Sequence, residues 1–202
     1  MRIAVRSISE KRENQDRVVT RVFDGALFVA LADGAGGQMG GARAAQIAVD
    51  VALGCAQNAP DLQGLDWAGC LERADAAMES DAEAGITTAV VLAAGEGWLA
   101  GASVGDSEAW LIGANSSVDL TAHQRRKPFV GQSARGKTFG AKWDGETLLV
   151  GSDGLFKYVS RETVEAIARG AELEAVADAL LERVRYPSGA LPDDVSLVLA
   201  RF

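Results

Sequence analysis

Aspartates recur at the ends of apolar segments, and they are the residues in this sequence best suited to chemistry. The acidic positions beside a predicted strand are Asp33, Asp106, Asp153 and the pair Asp193-Asp194. If these strand ends meet at one edge of a sheet pair, the like charges repel one another unless cations or protons neutralise them. Carboxylate oxygens without nearby His or Cys select hard ions, so the pattern predicts a Mg²⁺ or Mn²⁺ site.

The same positions also fit ordinary turns. Asp33-Gly34 and Asp153-Gly154 are Asp-Gly dipeptides, and this dipeptide is common in turns that follow strands. Taken alone, the strand-end pattern therefore leaves both interpretations open, metal ligands and turn residues.

Short strands and amphipathic helices must position these aspartates. The predicted strands are Arg2 to Ile8, Arg17 to Val22, Ala26 to Ala32, Thr87 to Ala94, Trp98 to Val104, Ala109 to Ile112, Thr147 to Gly151 and Val195 to Phe202. Helices are predicted over Gln38 to Gln57 and along apolar faces from Trp67 to Met78 and from Leu173 to Val184. This order favours an α+β fold of antiparallel sheets with helices packed outside. Asn115 to Gly145 lacks hydrophobic periodicity and is predicted to be a surface loop.

Composition limits the classes of function. A chain of 202 residues, 48% of them apolar, is expected to form one domain over residues 1–202. A net charge of −8 argues against a nucleic-acid partner, and the absence of a long apolar run argues against a membrane partner. Cys55 and Cys70 lack metal-ligand spacing, so we predict free thiols in a monomeric, cytoplasmic protein.

Six short motifs lie in register across nearly the whole chain. They are Glu13-Asn14-Gln15-Asp16-Arg17, Ala32-Asp33-Gly34-Ala35-Gly36-Gly37, Gly85-Ile86-Thr87-Thr88-Ala89, Val104-Gly105-Asp106-Ser107, Gly151-Ser152-Asp153-Gly154-Leu155 and Asp193-Asp194-Val195-Ser196. In order and approximate spacing they resemble the protein phosphatase 2C family, in particular its small bacterial single-domain members. The resemblance implies a central antiparallel β-sandwich flanked by helices on both sides, in four layers α-β-β-α.

The resemblance also implies roles for individual residues. The implied metal ligands are Asp33, Gly34, Asp106, Asp153 and Asp193. Asp33 would bridge two Mn²⁺ or Mg²⁺ ions, and Asp106 with Asp153 would match the third ion site of bacterial members. Asp16 would orient a metal-bound water, so the implied catalytic residues are Asp16, Asp33 and Asp153. Lys11, or its neighbour Arg12, would bind the substrate phosphate where the family usually has an arginine.

The implied reaction is hydrolysis of phosphoserine and phosphothreonine on proteins, opposed by a Ser/Thr kinase. A hydroxide bridging the metals would attack phosphorus in line, because two cations screen the phosphate dianion and acidify water. The sequence agrees with this, since it has no Cys-x₅-Arg phosphatase loop and no Gly-x-Ser-x-Gly elbow for a covalent route.

Some positions depart from the family pattern. The histidine that many relatives carry near the Asp-Gly-x-Gly-Gly segment is missing, and the single histidine, His123, is more simply a structural or exposed residue. The run Arg125-Arg126-Lys127 is either a solvated loop or a basic rim that meets phosphorylated or acidic segments. Two other functions stay open: a metal-binding regulatory module with little or no turnover, and a metal-dependent nuclease or nucleotide hydrolase.

Overall fold

The computed structural model describes residues 1–11, 13–35 and 40–202. The strands in these ranges are β1 (Arg2–Ile8), β2 (Asp16–Phe23), β3 (Ala26–Asp33), β4 (Ala89–Gly95), β5 (Trp98–Val104), β6 (Glu108–Ile112), β7 (Ser117–Asp119), β8 (Lys137–Ala141), β9 (Thr147–Gly151) and β10 (Val195–Arg201). The helices are α1 (Gly41–Asn58), α2 (Trp67–Glu79), α3 (Asp153–Phe156), α4 (Arg161–Ala168) and α5 (Leu173–Val184).

The strands form two five-stranded antiparallel sheets. One has the order β1-β10-β9-β6-β7 and the other the order β2-β3-β4-β5-β8. Strand β3 is buried on both faces, which explains its continuous apolar sequence. Leu27, Val29 and Leu31 pack between the sheets, while Phe28 and Ala30 face the helices. Side chains alternate across a strand, so a strand covered on both faces must be apolar throughout.

Helices cover the outer face of each sheet. Small residues of α1 such as Ala48 pack with Trp67 of α2 on the β2-β3-β4-β5-β8 sheet. Leu180 of α5 and Val164 of α4 pack with Leu197 of β10 on the other sheet. The order of layers is therefore helices, sheet, sheet, helices, which confirms the predicted four-layer α+β architecture.

The predicted loop from Asn115 to Gly145 is wrong in part, because it contains β7 and β8. Strand β8 is an edge strand next to β5, and of its five residues only Phe139 and Ala141 are even partly covered. An edge strand that buries so little leaves a weak hydrophobic signal in the sequence. Strand β4 begins at Ala89 rather than at the predicted Thr87, because Thr87 instead forms isolated bridges with Gly34 and Val130.

Two smaller points concern helices and thiols. The predicted first helix began at Gln38, which lies outside the described residues, and α1 is described from Gly41 onward. Cys55 and Cys70 are both free thiols, as predicted. Within the described ranges, no helix combines the length and hydrophobicity needed to cross a bilayer.

Candidate metal and phosphate site

One cavity gathers the predicted site residues at one end of the two sheets. It has a volume of about 440 Å³, and we call it the site cavity. Six of the residues predicted from sequence line it: Lys11, Asp33, Gly34, Asp106, Asp153 and Asp193. Their carboxylates come from the end of β3, the turn after β5, the start of α3 and the turn before β10. Strand ends from both sheets therefore converge there.

Two glycines allow the backbone to approach closely beside this cavity. A Cβ atom on Gly154 would lie 2.0 Å from the carbonyl oxygen of Asp194, and one on Gly34 would lie 2.3 Å from the carbonyl carbon of Gly41. Real Cβ atoms do not approach backbone this closely. Glycine at these positions lets α3 pack against the turn before β10, and lets the end of β3 pack against the start of α1.

Asp16 lies directly opposite Asp33 in the β2–β3 register and is buried, with 3% of its surface exposed. Neither of its carboxylate oxygens has a hydrogen-bond partner among the described residues. Burial raises the pKa of Asp16 to about 6, although the nearby Ser196 and Ser152 hydroxyls oppose the shift. Asp16 is not among the residues that line the cavity. It is a buried carboxyl group paired in register with the cavity residue Asp33.

The pKa of Asp33 is raised to about 10, first by burial and then by the neighbouring charges of Asp16 and Asp153. Its backbone N–H donates to the Thr88 hydroxyl oxygen at 3.2 Å, and that oxygen is 2.6 Å from the Ser107 hydroxyl. Thr88 and Ser107 are both buried. The backbone of Asp33 is thus fixed while its carboxyl group lies in a negative field that favours any added cation.

Basic side chains pair with three of the cavity carboxylates. Lys11 Nζ lies 2.6 Å from Asp193 Oδ1, Arg126 donates to Asp106 at 2.9 Å, and Lys157 pairs with Asp153 one helical turn away. The Asp153 partner raises the pKa of Lys157, and the Asp106 partner raises that of Arg126. Each of these carboxylates is therefore paired with a different basic side chain. Within the described ranges, no three His, Cys, Asp or Glu side chains lie close enough together to form a preformed metal site.

The pKa of Lys11 is raised by a balance of opposing effects. Burial lowers it, while the hydrogen bond to Asp193 and the charges of Asp193 and Asp194 raise it by more. Lys11 is therefore a cation at the cavity wall, as a phosphate-binding residue requires. Its predicted alternative, Arg12, lies outside the described residues. His123 does not line the site cavity but a second one.

The sequence did not reveal the roles of two important residues. Asp194 is buried and accepts hydrogen bonds from the Ser9 hydroxyl at 2.5 Å and from the Gln15 backbone N–H at 2.9 Å. It thereby ties the segment that carries Lys11 to the turn that carries Asp193. The Asp193-Asp194 dipeptide was visible in the sequence, but only the fold shows that its second carboxylate binds the protein itself.

Asp75 of α2 is the second such residue. It accepts hydrogen bonds from four successive backbone N–H groups, those of residues 131–134, at 2.6 to 3.3 Å. These residues are 56 to 59 positions away in the chain, so no local sequence signal could reveal the contact. Asp75 fixes the loop that forms one wall of the site cavity through Phe129 and Gln132.

The donor set fits divalent cations. Five aspartates line the cavity, both oxygens of the buried Asp16 lack a partner among the described residues, and three basic groups already lie against the carboxylates. An all-oxygen set of this kind suits Mg²⁺ or Mn²⁺ rather than a softer ion. The residues that would hold such ions are the cavity aspartates and the Gly34 carbonyl.

Comparison with solved structures shows the same fold elsewhere. The Staphylococcus aureus serine/threonine phosphatase Stp1 is 20% identical, with a TM-score of 0.81, over 100% of this chain and 94% of that one. The catalytic domain of the phosphatase PstP, solved with two manganese ions, is 24% identical, with a TM-score of 0.76, over 99% of this chain and 97% of the other. RsbX, solved with magnesium, is 20% identical, with a TM-score of 0.76, over 98% and 92%.

No curated protein sequence matches the chain significantly. The family model described as Protein phosphatase 2C matches residues 5–183, which is most of the chain. That stretch includes the site aspartates from β2 to α3, and Asp193 lies just beyond it. The chain therefore belongs to the protein phosphatase 2C family.

Proposed function

We propose that this protein is a metal-dependent phosphatase that removes phosphate from phosphoserine and phosphothreonine on proteins. The observation that carries the proposal is the convergence of Lys11, Gly34 and five aspartates on one cavity, in a chain of the protein phosphatase 2C family. Lys11 supplies a cation beside the carboxylates of this cavity.

We propose Mn²⁺ or Mg²⁺ as the cofactor, with two ions or three. The manganese ions of PstP and the magnesium of RsbX support this choice, as does the all-oxygen donor set. When bound, such cations screen the negative charge of a phosphate and acidify water. Asp33, Gly34, Asp153 and Asp193 are the proposed ligands of two ions, and Asp106 with Asp153 those of a third.

The residues of the chain have distinct proposed roles. Lys11 binds the substrate phosphate as a point charge, because an ammonium lacks the bidentate geometry of arginine. Asp16, with its unpartnered oxygens next to Asp33, accepts a hydrogen bond from water and orients it. The role predicted for Arg12 in phosphate binding stays a prediction.

The remaining proposals concern domain organisation, location and partners. One phosphatase domain over residues 1–202 agrees with the two sheets, which draw strands from both ends of the chain. The free thiols of Cys55 and Cys70 support a cytoplasmic location. An opposing Ser/Thr kinase and a monomeric state stay predictions.

Turnover of a phosphopeptide and of p-nitrophenyl phosphate, with Mn²⁺ and with excess EDTA, tests the proposal. We expect activity with Mn²⁺, none with EDTA, and a loss of roughly a hundredfold or more in Asp153→Asn. Asp144→Asn is the matched control, because Asp144 is exposed and Lys142 is its one ion-pair partner among the described residues. Full activity in EDTA would refute the metal-dependent mechanism, and a folded wild type without turnover would favour a regulatory module.

A further inference from the structure

A second cavity with a basic lining lies beside the site cavity. It has a volume of about 560 Å³, and its basic lining residues are Arg125, Arg135, Lys137 and the histidine His123; we call it the basic cavity. Among the residues that the structure describes, no carboxylate lines it. In the described part of the chain, none of these four side chains forms an ion pair with a carboxylate, unlike Lys11, Arg126 and Lys157 at the site cavity. Unpaired positive charge is notable in a protein with a net charge of −8.

A buried hydroxyl group also lines the basic cavity. Ser103 is 1% exposed, and its Oγ has no hydrogen-bond partner among the described residues. It lies directly opposite Lys137 in the β5–β8 register, and residues directly opposite in an antiparallel pair face the same side of the sheet. Buried polar groups are nearly always satisfied. A solvated basic loop would not explain why this buried hydroxyl lacks a partner. The oxygen of a bound anion would accept a hydrogen bond from it.

One loop separates the two cavities and contributes to both. Lys127, Phe129 and Gln132 line the site cavity, while Arg125 and Arg135 line the basic cavity. The three residues of the run Arg125-Arg126-Lys127 therefore have different surroundings, because Arg126 pairs with Asp106, a carboxylate of the site cavity. Asp75 binds four successive N–H groups of this loop, so the basic cavity is held in a fixed place beside the site.

We propose that the basic cavity binds an anionic side chain of the phosphoprotein substrate, near the residue whose phosphate is hydrolysed. This inference rests on the proposed function. A carboxylate and a second phosphate share the required chemistry, which is an oxyanion that accepts hydrogen bonds from Ser103 and from arginine and lysine. Phosphoserine sites with acidic or phosphorylated neighbours would thus be preferred over neutral ones.

Three matched phosphopeptides test the proposal. They carry glutamine, glutamate or phosphoserine at one flanking position, and the spacing of that position is varied across the series. We expect the wild type to favour both anionic peptides through a lower KM, by about tenfold, as two charge-assisted contacts allow. The glutamate and phosphoserine peptides show which source of the oxyanion is preferred.

The double variant Arg135→Gln with Lys137→Gln should lose this preference while it hydrolyses p-nitrophenyl phosphate and the glutamine peptide at the wild-type rate. Ser103→Ala, which only removes the unpartnered hydroxyl, should reduce the preference in part. Lys142→Gln, an exposed lysine outside both cavities, should keep it. Equal KM values for all three peptides in the wild type, or an undiminished preference in the double variant, would overturn the proposal.

A binding measurement separates this inference from the proposed function. Fluorescence anisotropy of a labelled peptide with two glutamates and no phosphate needs no turnover, so it applies even to an inactive protein. Binding by the wild type that weakens in the double variant supports the basic cavity whether or not the protein is a phosphatase. Equal binding by both proteins would refute it, even if the phosphatase activity is confirmed.

Discussion

Replacing Asp75 with alanine should loosen the loop that separates the two cavities. Its carboxylate is 6% exposed and accepts hydrogen bonds from the backbone N–H groups of Gly131, Gln132, Ser133 and Ala134. Gln132 and Ser133 are exposed, so water can replace the carboxylate there, whereas Ala134 is buried and Gly131 is half-buried. Two of the four N–H groups would therefore lose their partner without full replacement.

The magnitude follows from these two bonds. A hydrogen bond to a charged group contributes about 1.5 to 3 kcal/mol, so for two such bonds we expect Asp75→Ala to lower the free energy of unfolding by about 3 to 6 kcal/mol. For a domain of this size that corresponds to a fall in Tm of about 6 to 24 °C. Asp75→Asn keeps one acceptor oxygen and should lose about half as much.

Thermal and urea unfolding measure the stability, and amide hydrogen exchange at residues 131–134 shows where it is lost. The control is Asp50→Ala, since Asp50 is an exposed helical aspartate that accepts one hydrogen bond from Gln46. In activity assays Asp75→Ala should raise KM for a phosphopeptide more than for a small aryl phosphate, because Phe129 and Gln132 line the site. A Tm within about 2 °C of the wild type, with unchanged exchange in the loop, would refute this account of Asp75.

Two further predictions concern the charges of the site. In chelator-treated protein, the pKa of Asp16 is about 6 in the folded state, against an ordinary value of 3.8. The contribution of Asp16 to stability is therefore fully present below pH 3.8 and is lost as the pH rises through 6. This difference in pKa corresponds to about 3 kcal/mol of stability. Asp16→Asn should therefore gain stability relative to the wild type as the pH rises from 3.8 to above 6. Parallel pH–stability curves for the two proteins would show that Asp16 is not the cause. Lys157→Ala should tighten Mn²⁺ binding about two- to fivefold in calorimetry, because the ion no longer competes with the partly exposed ion pair between Lys157 and Asp153. The control Lys142→Ala should leave Mn²⁺ binding unchanged. Weaker binding by Lys157→Ala would mean that its ammonium group helps to hold the metal.

The position of the site could be predicted because its signal is local. A strand covered on both faces must be apolar throughout, and such a run ends visibly where an aspartate begins, as at Asp33 and Asp153. The bounds of β5 and β9 were predicted to the residue for the same reason. Those of β1 were also predicted to the residue, although β1 is an edge strand with several exposed residues. Edge strands β7 and β8 were missed because they bury little side-chain area and carry no comparable pattern.

The sequence by itself determined the fold class, the family and the residues that come together, because strand periodicity and short motifs are properties of neighbouring positions. Only the tertiary structure decided which partners those residues have. Lys11 pairs with Asp193 across 182 positions, and Asp75 binds a loop more than 50 positions away. The three residues of the Arg125-Arg126-Lys127 run look alike in sequence, yet they face the basic cavity, Asp106 and the site cavity. Such pairings depend on how two sheets and a loop pack in space, and no local pattern encodes that packing.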